Sequence, residues 1–395
     1  MKLGIVVPRY GDTSIGGAER ALRQLGEHLV SLAGWEVEAF ATCARSAVDW
    51  ADLEEPGTTE INGVTVHRFE SVSGRDPAWG NVAVRVEESP TTVDGVGQKM
   101  YIDMQGPVNP DMIAAATASD ADLLALGPYL FWPTVEGIAA NPERSILHGA
   151  AHDEPALHLG TIERTYVSAR AISYYSEAER DLVQGMFPVA HKPSVVLGLG
   201  VDPVDIPPGA EASARERFGI GDRPYIMCLG RLENGKGARA LDAFFREYKA
   251  RRRGPLALVF VGPANERLDP HPDIIVTDAV DEDDKWGLLA GSEIVVNPSA
   301  MESFSIVVPE AWLAGRPVMV NAHCAATVEH IKSGRGGIAF DGYPSFEAGL
   351  DRLLSDPALR HALAEAGRRY TIDRFAWPSV VSRYAEFCRR LIAVR

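Results

Sequence analysis

Leu3–Val7 is a short uninterrupted apolar run; a loop rich in Gly, Ser, Thr and Asp follows over Tyr10–Gly17. Ala18–Leu32 then spaces Ala21, Leu22, Leu25, Leu29 and Leu32 as one face of a helix, and Trp35–Thr42 reads as a second strand. An apolar run without alternation suits a strand buried on both faces, the environment of a parallel sheet. Parallel neighbours need a crossover, usually a helix, so strand-loop-helix-strand commits the chain to a sheet with helices on both sides.

The pattern returns after residue 220. Tyr225–Leu229 is a strand, Gly230–Gly237 a polar loop and Ala238–Arg251 a helix. Strands at Leu256–Val261 and Ile274–Thr277, a helix over 282–290 and a strand at Ile294–Asn297 come next, then a helix over Ile306–Ala314 and a strand at Pro317–Asn321. At roughly 100–200 residues per domain, 395 residues exceed one core. Two doubly wound α/β sheets in tandem are expected, over residues 1–200 and 201–375. The join falls in GLGVDPVDIPPGA, residues 198–210, where three prolines and three glycines resist regular structure. An amphipathic helix, Trp377–Leu391, occupies the last segment, 376–395, and residues 71–110 are the least readable stretch.

Composition narrows the function. Hydrophobic residues make 46% of the chain and charged ones 24%, ordinary globular values that exclude a disordered or fibrous chain. The formal charge is −15, and residues 1–200 hold 14 basic against 27 acidic side chains. That balance argues against nucleic acid as a partner and against strong association with anionic lipid. Cys43, Cys228, Cys324 and Cys388 lie far apart, without a C-x-x-C pair, so neither a zinc site nor a disulfide framework is expected. No leader and no membrane-spanning run is legible, and a cytoplasmic setting is the expectation.

Three segments carry candidate chemistry. Gly16 and Gly17, in SIGGAE, sit where a strand leads into a helix, and glycines there let backbone approach an anion. Gly230-Arg231-Leu232-Glu233-Asn234-Gly235-Lys236-Gly237 repeats the theme with two cations, which suits a diphosphate, although the alternative is a solvated Arg and Lys paired with nearby acids. Glu302 and Glu310, in PSAMESFSIVVPEA, stand eight residues apart at the expected ligand edge of the sheet, placed to accept hydrogen bonds from two sets of sugar hydroxyls. Asp120-Ala-Asp122 reads as the entrance to a strand rather than a metal motif, and Asp281–Asp284 as a solvated helix start, so no metal is expected.

Taken together, Gly16-Gly17-Ala18-Glu19, Gly230-Arg231 with Lys236-Gly237, and Glu302 followed by Glu310 resemble glycosyltransferase family 4. His148-Gly149-Ala150-Ala151-His152-Asp153 resembles that family's His-Asp segment, and Ser176-Glu177 one of its helix starts. The resemblance implies the GT-B fold: two Rossmann-like domains facing across a cleft, the first binding acceptor and the second donor, with the terminal helix crossing back to the first.

It also implies roles. Arg231 and Lys236 would neutralise the diphosphate of a nucleotide sugar, Glu310 would bind the ribose and Glu302 the transferred sugar. Backbone N–H groups at Ser303, Phe304 and Ser305 would complete those contacts, and Gly16 and Gly17 would meet the phosphates. His152 would stand beside the donor sugar, with His148 as its rival. Where Ser305 stands, such families often have Gly. The reaction implied is retaining hexosyl transfer without cofactor, from a uridine diphosphate sugar ahead of guanosine diphosphate mannose. The net charge of residues 1–200 suggests a small neutral or cationic acceptor, such as a sugar, polyol or aminocyclitol. A sugar-nucleotide epimerase and a non-catalytic nucleotide-sugar binder are the alternatives; a phosphorylase would need a pyridoxal phosphate lysine, for which no candidate stands out.

Overall fold

The computed structural model describes residues 1–11 and 16–393, so Ser14 and Ile15 of the first glycine loop lie outside the described residues. Contacts divide the chain into two units, Met1–Gly200 with Trp377–Arg395, and Val201–Ala376.

The first unit is built on eight strands: β1 Lys2–Val6, β2 Glu36–Thr42, β3 Gly57–Ile61, β4 Val64–Phe69, β5 Leu123–Leu126, β6 Ser145–His148, β7 Ala171–Tyr174 and β8 Ser194–Val196. They lie in the order β3-β4-β2-β1-β5-β6-β7-β8. All neighbours are parallel except β3 and β4, which form an antiparallel hairpin. Its turn is Asn62-Gly63, both with positive φ, the Asn-Gly pair that matches the twist of two paired strands. The pair is readable in sequence; the purely parallel expectation missed it.

Apolar residues on β1 and just after it serve two cores. Leu3, Ile5 and Val7 face one layer with Trp377, Val380 and Tyr384 of the terminal helix Trp377–Ala393, while Val6 faces the other with Leu124 and Leu126. Within this unit Trp377 stacks on His28, ring centroids 4.1 Å apart. Residues 71–110, unreadable by periodicity, contain helices Trp79–Glu88 and Gly95–Gln105, followed by Pro110–Ala118. Their overlooked signals are caps: the carboxylate of Asp94 accepts the Gly97 N–H, and the side chain of Asn109 accepts the Met112 N–H just before Pro110.

The second unit carries β9 Tyr225–Leu229, β10 Ala257–Val261, β11 Ile274–Val276, β12 Ile294–Asn297, β13 Val318–Asn321 and β14 Gly337–Phe340. Their order is β11-β10-β9-β12-β13-β14, parallel throughout. The helix predicted over Ile306–Ala314 is Val307–Leu313.

Two acidic clusters find structural partners. Lys2 pairs with Asp120 through its ammonium and with Asp122 through its backbone N–H, tying the entrance of β5 to β1. Asp281 caps the helix Glu282–Gly291. Asp284 departs from the expected solvated helix start: it is 7% exposed and paired with Arg217, because the first turn of that helix lies against Ala210–Arg217.

Candidate active site

In an open parallel sheet, ligands collect beyond the carboxyl ends of the strands where the winding reverses. In the second unit the chain winds outward from β9 through β10 to β11, then returns to β12 and continues the other way, so the reversal lies between β9 and β12. The loops leaving those strands are Gly230–Gly237 and Pro298–Ile306. Gly237 joins them: its φ is +74°, and a Cβ there would meet the Pro298 carbonyl oxygen at 2.4 Å. Only glycine lets the two loops pack so closely.

The candidate side chains converge here as pairs. Lys236 Nζ is 2.9 Å from Glu302 Oε1, both partly exposed. Arg231 is largely exposed, with Nη2 3.4 Å from Glu233 Oε1. Glu310 Oε1 lies 3.0 Å from Lys285 Nζ, which also reaches Glu282 Oε2 at 2.7 Å and stands 4.9 Å from the centroid of the Trp286 ring. Lys285 was missed in sequence, where it reads as one more charge in an acidic helix start. Its ammonium gives the nearly buried Glu310 a counter-charge, so the carboxylate does not stand isolated in the interior.

The residues around Glu302 divide into core and edge. The Phe304 ring is 2% exposed and packs edge-on against His330 and Phe375, centroids 4.6 and 4.9 Å away, so it is a core group and only its backbone faces other uses. His330 Nε2 lies 2.9 Å from the Phe304 carbonyl oxygen and donates to it; burial pushes the histidine down to about 4 and keeps it neutral. Ser305 has φ +68°, in the left-handed region that glycine enters freely. This explains in conformational terms why glycine suits the position. Here the hydroxyl of Ser305 accepts from Asn297 Nδ2 at 2.6 Å, while Asn297 Oδ1 accepts the Ser299 N–H at 3.0 Å. The extra side chain is thus hydrogen-bonded inside the loop. Ser303 is half-buried beside them.

In the first unit the winding reverses between β1 and β5. Gly16 precedes the helix Gly17–Ala33 as its N-cap. A Cβ on Gly16 would stand 2.2 Å from Glu19 Oε2 and 3.0 Å from Arg9 Nη2, whereas one on Gly17 would meet nothing within 4 Å. Gly16 therefore has a packing reason: it covers a buried ion pair. Arg9 and Glu19 make a two-pronged contact, Nε to Oε1 at 3.0 Å and Nη2 to Oε2, and Arg9 also donates to the Arg45 carbonyl oxygen at 3.2 Å. Burial pushes the Glu19 carboxyl above its ordinary value, and Arg9 offsets only part of that rise.

The two candidate histidines separate cleanly. His148 is 1% exposed, its Nε2 3.0 Å from the Tyr384 hydroxyl, and burial drives it down to about 3. His152 is partly exposed with Nε2 3.9 Å from Glu154 Oε1. Asp153 pairs with His158 at 3.0 Å instead of with His152. The loop between the histidines is held by Glu179, whose two oxygens accept the N–H groups of Ala151 at 2.8 Å and Tyr175 at 2.6 Å. Burial pushes this carboxyl up to about 8, against the pull of its backbone donors. Sequence offered Ser176 and Glu177; Ser176 does cap the following helix, through the Glu179 N–H, but the loop-holding acid is Glu179.

Comparison with known proteins bears on these features. Residues 223–356, all in the second unit, match the family of Glycosyl transferases group 1. Over 224 residues the chain is 30% identical to the GDP-mannose-dependent alpha-(1-6)-phosphatidylinositol monomannoside mannosyltransferase of Mycolicibacterium smegmatis, a match covering 51% of this chain and 58% of that one. The chain thus spans little more than half the length of that relative. An uncharacterized glycosyltransferase of Methanocaldococcus jannaschii is 24% identical over 397 positions, 96% of each chain. Among solved structures, HepE of Anabaena in complex with UDP and glucose is similar at a TM-score of 0.68 and 17% identity, over 99% of this chain and 100% of that one. The fold is that of the GT-B class, two Rossmann-like sheets in one chain, the second carrying a group 1 domain. At the level of family, residues 223–356 belong with the group 1 glycosyltransferases.

Proposed function

We propose that the chain transfers a hexosyl group from a nucleotide diphosphate sugar to a hydroxyl of a small polar acceptor, with retention at the anomeric carbon. The observation that carries this reading is the winding reversal of the second sheet, which gathers Arg231, the Lys236–Glu302 pair and the Lys285–Glu310 pair at one edge.

Breaking the glycosidic C–O bond places positive charge on the sugar and negative charge on the departing diphosphate. Arg231 and Lys236 neutralise that diphosphate, and fixed cations stabilise it more in the transition state than in the ground state. Glu310 accepts from the ribose hydroxyls and Glu302 from those of the transferred sugar, assisted by backbone N–H groups at Ser303, Phe304 and Ser305. Gly16, Gly17 and His152, at the ligand edge of the first sheet, take the donor-side roles that the family resemblance assigns them. The acceptor attacks from the face the diphosphate leaves, and the departing phosphate takes its proton. A uridine diphosphate sugar is the first choice of donor, supported by the UDP named for the similar Anabaena structure; guanosine diphosphate mannose, named for the mycobacterial relative, is the second.

Thermal stability with UDP, GDP, ADP and TDP tests the donor. A ligand at 100 times its Kd adds about 2.7 kcal/mol, and one base is expected to act alone. No shift with any of the four, or a shift that Arg231→Ala leaves intact, removes the donor reading. An inverted anomer in the product removes same-face attack.

A further inference from the structure

The first unit contains a pocket of about 640 Å³ that none of these steps uses. Arg75, Asp76, Lys99, Asp103, Met104 and Trp132 contribute to its wall. These residues come from the segment after β4, the helix Gly95–Gln105 and the start of the helix Trp132–Ala140 that follows β5. The pocket therefore lies at the carboxyl edge of the first sheet, where an open α/β sheet receives its ligand. The loop after β5 is also tied to the loop of His152: the Tyr129 N–H donates to the Gly149 carbonyl oxygen at 3.2 Å, and the Tyr129 hydroxyl to Glu154 Oε1 at 2.5 Å.

The charges in the wall are not equivalent. Lys99 is occupied by Asp103 at 2.7 Å, and Asp76 accepts the Ala78 N–H at 2.7 Å. Among the described residues no carboxylate pairs with Arg75. Its Nε is buried without a hydrogen-bond partner, and its guanidinium carbon stands 4.5 Å from the centroid of the Trp79 ring, which fixes its plane. Burial holds its pKa below the usual arginine value, consistent with a cation lacking a counter-charge. A guanidinium held this way matches a carboxylate or phosphate, both of which accept two parallel hydrogen bonds. Trp132 adds apolar surface for the C–H face of a sugar or polyol.

We propose that this pocket binds a small polyhydroxylated molecule carrying one anionic group, phosphate or carboxylate, which Arg75 holds. Resting on the transferase reading above, that molecule is the acceptor. It differs from the neutral or cationic acceptor suggested by the net charge of residues 1–200, because one unpaired local guanidinium outweighs a negative charge dispersed over the surface.

Calorimetric titration of the full chain with glucose 6-phosphate, gluconate and glucose tests this, with and without saturating UDP or GDP, on wild type and Arg75→Gln. At least one anionic probe should bind wild type about tenfold tighter than glucose. Arg75→Gln should lose that preference while its affinity for the nucleotide is unchanged. The glucose 6-phosphate and gluconate arms distinguish phosphate from carboxylate. Equal binding of anionic and neutral probes, no binding of any probe, or a preference that survives Arg75→Gln overturns the proposal. So does displacement of the anion by the nucleotide. If neither UDP nor GDP binds, the donor reading fails by itself and the anion result still stands.

Discussion

The glycine-rich loop after β1 and the one after β9 occupy the same place in their two sheets, yet their charged side chains are handled in opposite ways. Arg9 and Glu19, beside the first loop, are 7% and 2% exposed and complete one another. In the second loop the Arg231 side chain is 60% exposed, and Lys236 and Glu302 meet at a solvent-accessible edge. A buried pair with matched geometry fixes the backbone that covers it, and losing one member strands the other in a low dielectric. A half-exposed pair costs little to open. It can exchange its partner for a ligand's phosphate or hydroxyl. Arg9 and Glu19 thus serve one another inside the fold, while the second loop holds charges ready for use.

The largest expected effect breaks this contrast directly. Arg9→Ala should destabilise the protein by about 3–5 kcal/mol, because Glu19 is left buried without a cation. Lys236→Ala should cost less than about 1 kcal/mol of stability yet lower kcat by about 10²–10³-fold through loss of charge stabilisation at the diphosphate. Chemical denaturation and initial rates measure both. Equal stability losses in the two variants would erase the distinction.

Acid should act through the buried histidines. His148 and His330 sit at about 3 and 4 in the folded chain, below the 6.5 of a free imidazole. The unfolded chain therefore binds more protons below about pH 6.5, and their contribution, full above that pH, is lost as pH falls toward 4 and then 3. Each contributes on the order of a few kcal/mol. Glu179 runs the other way: with its carboxyl raised to about 8, its contribution is full below about 4.5 and lost as pH rises through 8. Calorimetry across pH 4–9 should show a shallower decline toward acid in His330→Gln and, in Glu179→Gln, a shallower loss of stability as pH rises from about 4.5 to 8. Unchanged slopes would mean that these groups do not control either limb.

Two neighbouring glycines sharpen the comparison at smaller scale. Gly16→Ala places a methyl group against the Arg9–Glu19 pair and should cost about 1–3 kcal/mol. Gly17→Ala enters open space and should leave stability within about 0.5 kcal/mol of wild type. A loss of nucleotide affinity in Gly17→Ala would then report on ligand approach alone. Thermal melts with and without the nucleotide separate the two effects.

The smallest change is expected at Ser305. Ser305→Gly relieves the left-handed backbone, worth roughly 1–2 kcal/mol, but removes the hydroxyl that accepts from Asn297, worth about 1 kcal/mol. The two nearly cancel. A melting temperature far from wild type would show that one of them dominates.

Much of this was legible in the residues themselves. Short apolar runs, glycine loops and helical spacing gave alternating strands and helices in both halves, because those signals are local. The acids Glu302 and Glu310 and the cations Arg231 and Lys236 stood out by type and position. The segment 71–110 did not, because caps rather than periodicity mark its helices. Nor did Lys285, whose partner Glu310 is 25 positions away, or Glu179, which holds a loop 28 positions earlier.

The sequence by itself determined the alternation of elements, the two tandem sheets and the kinds of side chain available at their edges. Only the tertiary structure decided which carboxylate meets which cation, which histidine is buried and neutral, and that Arg75 lines a pocket without a counter-charge. The reason is physical: propensity and periodicity act over a few residues, whereas burial and ion pairing depend on strands that the winding of each sheet brings together from distant parts of the chain.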